Sequence, residues 1–208
     1  MNCASLGLKI TLHGKTAHAA DPDYGISPSH AVAEFIQKIN KFNHGNELSK
    51  NFSLATVTYV QIGEQSFGIS PGEATIFVTL RTSNDDSLNQ LNKDVRILIS
   101  NISIHFKLNL DFEIFDHFAA SINHEEAYDI AVNAMKTLNI NYGSIGVPMR
   151  ASEDFGIFGM QSKAAMLCLG PGKNYAALHK PDYDFNDDLI PIGTSIFERI
   201  TRDLLGTY

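Results

Sequence analysis

The chain has 208 residues, with 16 lysines and arginines against 23 aspartates and glutamates and a formal net charge of −7. A hydrophobic content of 44% with 19% charged residues excludes a disordered chain. No apolar run approaches the roughly 18 residues of a membrane helix, and the acidic balance argues against nucleic acid as a partner. No signal peptide is recognisable, and Cys3 and Cys168 show no pairing pattern. We therefore expect a cytoplasmic protein with reduced thiols and no membrane or nucleic-acid partner.

The first half of the chain alternates between strand and helix patterns. Apolar and polar residues alternate over 6–13 and predict a strand, and Ser27-Pro28 begins a predicted amphipathic helix over 28–43. Two further strand patterns, at 52–62 and 73–82, flank a turn that contains Gly and Pro.

A second helix and a fourth strand complete this half. Ser83 or Asn84 is the expected N-cap of the helix, which is followed by a strand pattern over 104–115. The order strand, helix, strand, strand, helix, strand is that of the ferredoxin-like, split-βαβ fold of the α+β class. We expect an antiparallel sheet with both helices on one face, in a domain that spans residues 6–117.

The rest of the chain, 118–208, has a different composition. It contains a predicted helix over 125–138, a short buried strand over 164–170, and a final helix that Asn186 is expected to cap. The long loops rich in Gly and Pro between these elements are unusual in a compact domain. Loops this long are usually functional or a sign that partner structure is missing, so we expect an α/β segment that is incomplete as a domain of its own.

Four residues stand out as candidates for chemistry, each with an ordinary alternative. His18 lies in the loop HGKTAHAADP and His179 in a loop rich in Gly and Pro, where a histidine can contact a ligand or can simply be exposed. Glu153, in SEDF, is placed either to cap a short helix or to act in a site. Arg81 ends a strand and can bind a carboxylate or remain a solvated charge.

Read together, three segments resemble the aminoacylase, hippurate-hydrolase and auxin-conjugate-hydrolase family of amidohydrolases. They are ITLHGKTAHAADPDYGISP, SEDFGIF and LGPG followed by LHKPDYDFNDDLI, in the family's order along nearly the whole chain. The resemblance implies a ferredoxin-like lid that forms a homodimer, joined to a catalytic domain with two divalent metal ions, zinc or manganese. The implied substrates are N-acyl amino acids or small peptides.

The resemblance also implies roles for the four candidates. His18 matches a lid histidine that reaches the neighbouring subunit's site and stabilises the charge on the scissile carbonyl. His179 matches the last metal-ligand histidine, and Arg81 matches an arginine that contacts the substrate carboxylate. Glu153 lies near the site, behind the residues that contact substrate or metal.

The chain also departs from the family. The family often has Asn-Val-Ile-Pro where this chain has Gly68-Ile69-Ser70-Pro71, and the family's early metal-binding and general-base segments have no counterpart in 1–208. Because a catalytic metal needs about three protein ligands, we expect this chain alone to retain no metal and to be inactive. Two hypotheses remain: part of a metal-dependent amidohydrolase, or a non-catalytic dimerisation or binding module derived from one.

Overall fold

The computed structural model describes residues 2–46, 49–144, 146–176, 178 and 180–206. The chain divides into two compact units. The first consists of Met1–Ser121 with Val147–Ile157, and the second of Ile122–Gly146 with Phe158–Tyr208.

The first unit is built on a four-stranded antiparallel sheet. Its strands are β1 (Ala4–His13), β3 (Ser53–Ile62), β5 (Glu73–Thr82) and β6 (Asn109–Phe118), in the order β3-β5-β1-β6. The central pair β1 and β5 runs in unbroken register from Ala4 opposite Thr82 to His13 opposite Glu73. This topology confirms the predicted split-βαβ arrangement.

Two helices, α1 (Ser29–Ile39) and α2 (Asp85–His105), pack against this sheet. Alternate residues of the central strands point towards them, so the period of two in β1 meets the apolar stripes of the helices. Asn84 caps α2, its side chain accepting a hydrogen bond from the Ser87 N–H. The largest fully buried side chains of this core are Phe35, Leu8, Ile10, Leu12, Ile39, Ile76, Leu80, Leu88 and Ile99.

A small second sheet extends this unit. Strand β2 (Ala17–His18) pairs antiparallel with β4 (Ile69–Ser70). This small sheet lies just beyond the end of the β1–β5 pair. The two strands are still held together at that end, where the Gly14 N–H donates to the Gly72 carbonyl oxygen at 2.7 Å.

The second unit contains α3 (Glu125–Thr137) and α5 (Leu189–Leu205), which pack on each other. The four-residue helix α4 (Gly156–Gly159) lies where the two units meet in the sequence. The buried core shared by α3 and α5 is small, namely Val132, Met135 and Ile196. No helix of the described residues is long and apolar enough to cross a membrane.

The predicted start of the fourth strand at residue 104 is wrong, since β6 begins at Asn109. Helix α2 continues to His105, and Lys107 then adopts a φ of 57°, which ends the helix. The Leu108 N–H donates to the Ser103 carbonyl oxygen at 2.9 Å, closing this turn before the strand starts.

Two predictions for the second unit are also wrong. Residues 164–170 are half-buried or exposed and form no strand. The N–H and carbonyl of Met166, in the middle of this segment, bind the side chain of Asn123 instead of a neighbouring strand. Asn186 does not cap α5, whose N-cap is Asp188. Instead, Asn186 Oδ1 accepts from the Asp188 N–H at 3.2 Å in the turn that precedes the helix.

Candidate active-site residues

The loop that carries His18 is held on both sides by backbone hydrogen bonds. The Lys15 N–H and carbonyl pair with Ile26, and the Ala19 N–H donates to the Gly68 carbonyl oxygen at 3.0 Å. A side chain at Gly14 would place its Cβ 1.9 Å from the Ile26 carbonyl oxygen, so this tight approach requires glycine. The His18 backbone is thus part of a defined sheet, although its side chain is exposed.

The His18 ring is oriented by its own loop. Nδ1 accepts a hydrogen bond from the Ala20 N–H at 3.0 Å. An accepting Nδ1 carries no proton, so in the neutral ring the proton resides on Nε2. Within the part of the chain that the structure describes, Nε2 makes no hydrogen bond. The exposed ring therefore presents an N–H donor to a ligand.

Arg81 lies at the other end of the sheet, where it is hydrogen-bonded to a distant segment. Its Nη1 donates to the Arg150 carbonyl oxygen at 3.0 Å and to Ser152 Oγ at 2.6 Å. Ser152 Oγ is in turn 2.6 Å from Ser5 Oγ, and Ser5 is opposite Arg81 in the β1–β5 register. The structure therefore places Arg81 next to the segment that contains Glu153.

Glu153 is exposed and precedes α4 rather than lying inside it. The turn into α4 is closed by the Ile157 N–H, which donates to the Asp154 carbonyl oxygen at 3.3 Å. Neither Ser5 nor Ser152 is predicted from the sequence as a partner of Arg81. No sequence signal identifies them, since 71 residues separate Arg81 from Ser152.

The geometry separates His18 from Arg81. Ser5 is opposite Arg81, while His13, at the far end of β1, lies eight residues further along the strand. At about 3.4 Å per residue this is roughly 27 Å, and β2 with His18 lies beyond that end. The two side chains of one chain therefore do not contact the same small molecule.

The described residues contain no group of three or more His, Cys, Asp or Glu side chains that could hold a metal ion. The predicted ligand His179 lies outside the described residues. These residues therefore do not by themselves fit the two-metal site that the sequence resemblance implies.

A different histidine lies between two carboxylate side chains on the sheet. His13 Nδ1 is 3.2 Å from Glu73 Oε2, and His13 Nε2 is 3.1 Å from Asp111 Oδ2. These contacts join β1 to both of its neighbours. The alternating pattern of each strand marks these side chains as outward-facing, but only the register shows that they meet.

Comparison with known proteins agrees with this fold. Residues 2–106 match the family described as the peptidase dimerisation domain, which is a domain of the M20 peptidases. The match covers half of the chain, and the chain therefore belongs to this family.

The curated relatives are hydrolases. The chain is 25% identical over 194 residues to the N-acetyldiaminopimelate deacetylase of Exiguobacterium sibiricum, covering 93% of this chain and 52% of that protein. It is 24% identical over 213 residues to the hippurate hydrolase of Campylobacter jejuni, covering 99% and 54%. An IAA-amino acid hydrolase of Arabidopsis thaliana is 25% identical over 216 residues, covering 96% and 48%. The chain thus spans about half the length of these relatives.

Solved structures show the same fold. A dinuclear metal-binding peptidase of Bacillus subtilis from the M20 family matches with a TM-score of 0.75 and 16% identity, covering 100% of this chain and 52% of that one. A hydantoinase/carbamoylase family amidase of Burkholderia ambifaria matches with a TM-score of 0.65 and 16% identity, covering 97% and 47%.

Proposed function

We propose that this chain is part of a metal-dependent amidohydrolase that cleaves N-acyl amino acids or small peptides. The lid is residues 6–117, and residues 118–208 are a segment of the catalytic domain. Supporting this, three relatives are named as an N-acetyldiaminopimelate deacetylase, a hippurate hydrolase and an IAA-amino acid hydrolase. The single observation that carries the proposal is the exposed Nε2–H of His18 in a domain of this family.

In this proposal His18 binds the carbonyl oxygen of the scissile amide. As the carbonyl carbon becomes tetrahedral, negative charge develops on that oxygen, and a pre-oriented N–H donor stabilises it. The Ala20 N–H holds the ring in the tautomer that this role requires, so no reorientation is needed during the reaction.

Arg81 binds the carboxylate of the substrate. Its Nη1 is already fixed by Arg150 and Ser152, which orients the guanidinium plane, and the remaining N–H groups can form the paired contact that carboxylates favour. Glu153 follows Ser152 directly and supports this end of the site without contacting substrate.

The separation of His18 from Arg81 supports a homodimer formed through the lid. With roughly 27 Å of strand between them, one site combines Arg81 of one chain with His18 of the other. The edge strands β3 and β6 of the sheet also leave unpaired backbone groups that an oligomer can cover.

For the complete protein we propose a divalent metal, zinc or manganese, with His179 among its ligands and the other ligands supplied from outside 1–208. The test is hydrolysis of acetylmethionine and hippurate by the full-length protein, with zinc or manganese added and the metal content measured. We expect metal-dependent turnover that His179→Ala abolishes. Absence of turnover under all these conditions would overturn the proposal and favour a non-catalytic dimerisation or binding module.

A further inference from the structure

Three exposed apolar side chains lie on segments whose backbones are hydrogen-bonded to the His18 loop or adjoin it. Phe67, in the loop between β3 and β4, has a relative exposure of 106%, and Tyr24 and Ile69 have 78% and 54%. Single exposed apolar residues are common, but three on neighbouring segments can together form an apolar surface.

Hydrogen bonds connect all three residues to the His18 loop. Ile69 pairs directly with His18 across the β2–β4 sheet. The residue after Phe67, Gly68, accepts the Ala19 N–H, and the His18 carbonyl accepts the Asp21 N–H at the start of the turn that contains Tyr24. A ligand that contacts His18 Nε2 is therefore close to the segments that carry these side chains.

The Phe67 loop is also held in place. The Gly68 N–H donates to Ser66 Oγ at 3.2 Å, and Gly63, at the start of the loop, has a φ of 56° and lies against Pro71. An aromatic side chain has only two rotatable bonds, so it loses little entropy when a ligand covers it. The ring is exposed but its backbone is pre-organised.

We infer that Phe67, together with Ile69, forms the apolar wall that contacts the acyl group of the substrate and selects aromatic or long apolar acyl groups over acetyl. This inference rests on the proposed function. If His18 binds the carbonyl oxygen and Arg81 binds the carboxylate on the amino-acid side, the group left next to the β2–β4 sheet is the acyl chain. Covering Phe67 with an apolar acyl group removes both from water, which an acetyl group does only weakly.

The experiment compares N-benzoylglycine with N-acetylglycine as substrates of the full-length protein. Removing an apolar wall lowers kcat/KM about tenfold or more for an apolar substrate and about threefold or less for a small one. We expect Phe67→Ala to show this difference, with Phe67→Leu between it and the wild type. Phe77→Ala is the control, because Phe77 is also exposed but pairs with Tyr59 on the open face of the sheet. The thermal midpoint of Phe67→Ala should equal that of the wild type, since nothing packs on a fully exposed ring.

The other possible outcomes show whether this inference alone fails or the proposed function fails with it. An active enzyme whose benzoyl-to-acetyl ratio is the same in wild type and Phe67→Ala overturns the inference and leaves the proposed function intact. Equal losses for both substrates also overturn it, because they indicate that Phe67 positions His18. A weaker dimer with an unchanged ratio identifies Phe67 as a subunit contact and overturns it too. A wild type that hydrolyses no N-acyl amino acid overturns the proposed function and this inference with it.

Discussion

Arg81 Nη1 donates a hydrogen bond of 2.6 Å to Ser152 Oγ, joining the end of β5 to a segment 71 residues later in the chain. This bond, with that of Ser152 to Ser5, attaches residues 147–157 to the first unit. The arginine proposed to bind substrate is thus positioned by a hydroxyl group and a backbone carbonyl.

Ser152→Ala should destabilise the first unit by about 1–3 kcal/mol, because it leaves the buried Ser5 hydroxyl and one Arg81 N–H without their partner. Urea unfolding measures the loss. The double variant Ser5→Ala, Ser152→Ala should lose less than the sum of the two single variants, since the two hydroxyls share one bond. Strict additivity would show that this contact contributes nothing to stability.

The extent to which the sequence predicts this fold depends on the range of the contacts. The alternation of Leu6, Leu8, Ile10 and Leu12 predicts β1 because the sheet buries every second residue on one face. Long-range contacts leave no such pattern. Nothing local indicates that the Asn123 side chain binds Met166 and replaces a strand partner at 164–170.

The candidate site follows the same rule. The pattern HGKTAHAA identifies His18, but the Ala20 N–H that fixes its tautomer appears only when the loop is folded. The separation between His18 and Arg81 likewise depends on the β1–β5 register, which no single segment contains.

His18→Ala in the complete enzyme should lower kcat strongly and leave the metal content unchanged. One oxyanion donor is worth about 2.7–4 kcal/mol, so the expected loss is on the order of a hundredfold to a thousandfold. Steady-state kinetics with metal analysis checks this, and a loss below tenfold would contradict the assigned role.

Mixing His18→Ala with Arg81→Ala tests whether the two residues of one site come from different chains. Each variant alone should be nearly inactive. After subunit exchange, half of the dimers combine one chain of each kind and contain one intact site, so about a quarter of the wild-type activity should return. No recovery, with exchange verified by differently tagged chains, would place both residues in one subunit's site.

The lid should form a dimer in solution, because β3 and β6 are open sheet edges. Light scattering at micromolar concentration should give twice the chain mass. A strict monomer would contradict the dimer and, with it, the proposed two-chain site.

Glu126 offers a pH-dependent test in the second unit. A hydrogen bond from Lys163, and then the charge of that lysine, lower the pKa of Glu126 below its ordinary value. Since the folded-state pKa is the lower one, the pair favours the fold above the ordinary glutamate pKa and loses its effect as pH falls through the lowered value. In an NMR titration, Lys163→Met should raise the Glu126 midpoint and Lys136→Met should not.

The 208-residue chain purified alone should be inactive. It should hydrolyse neither acetylmethionine nor hippurate with added zinc or manganese, and it should hold no stoichiometric metal, because His179 is the only ligand that the resemblance assigns to it and a lone imidazole binds weakly. Metal-dependent turnover that His179→Ala abolishes would show that the chain forms a complete site.

The second unit of this chain should also open first. Helix α5 leaves Phe197, Leu204 and Leu205 at 66%, 60% and 71% exposure, and the only buried residue on it is Ile196. The first unit instead buries the apolar faces of both its helices and its sheet, and stability follows buried apolar area. Hydrogen exchange should therefore show amides of the second unit, in Ile122–Gly146 and Phe158–Tyr208, exchanging well before those in 6–116. Equal protection in both ranges would mean that the small core of Val132, Met135 and Ile196 is enough to stabilise the second unit.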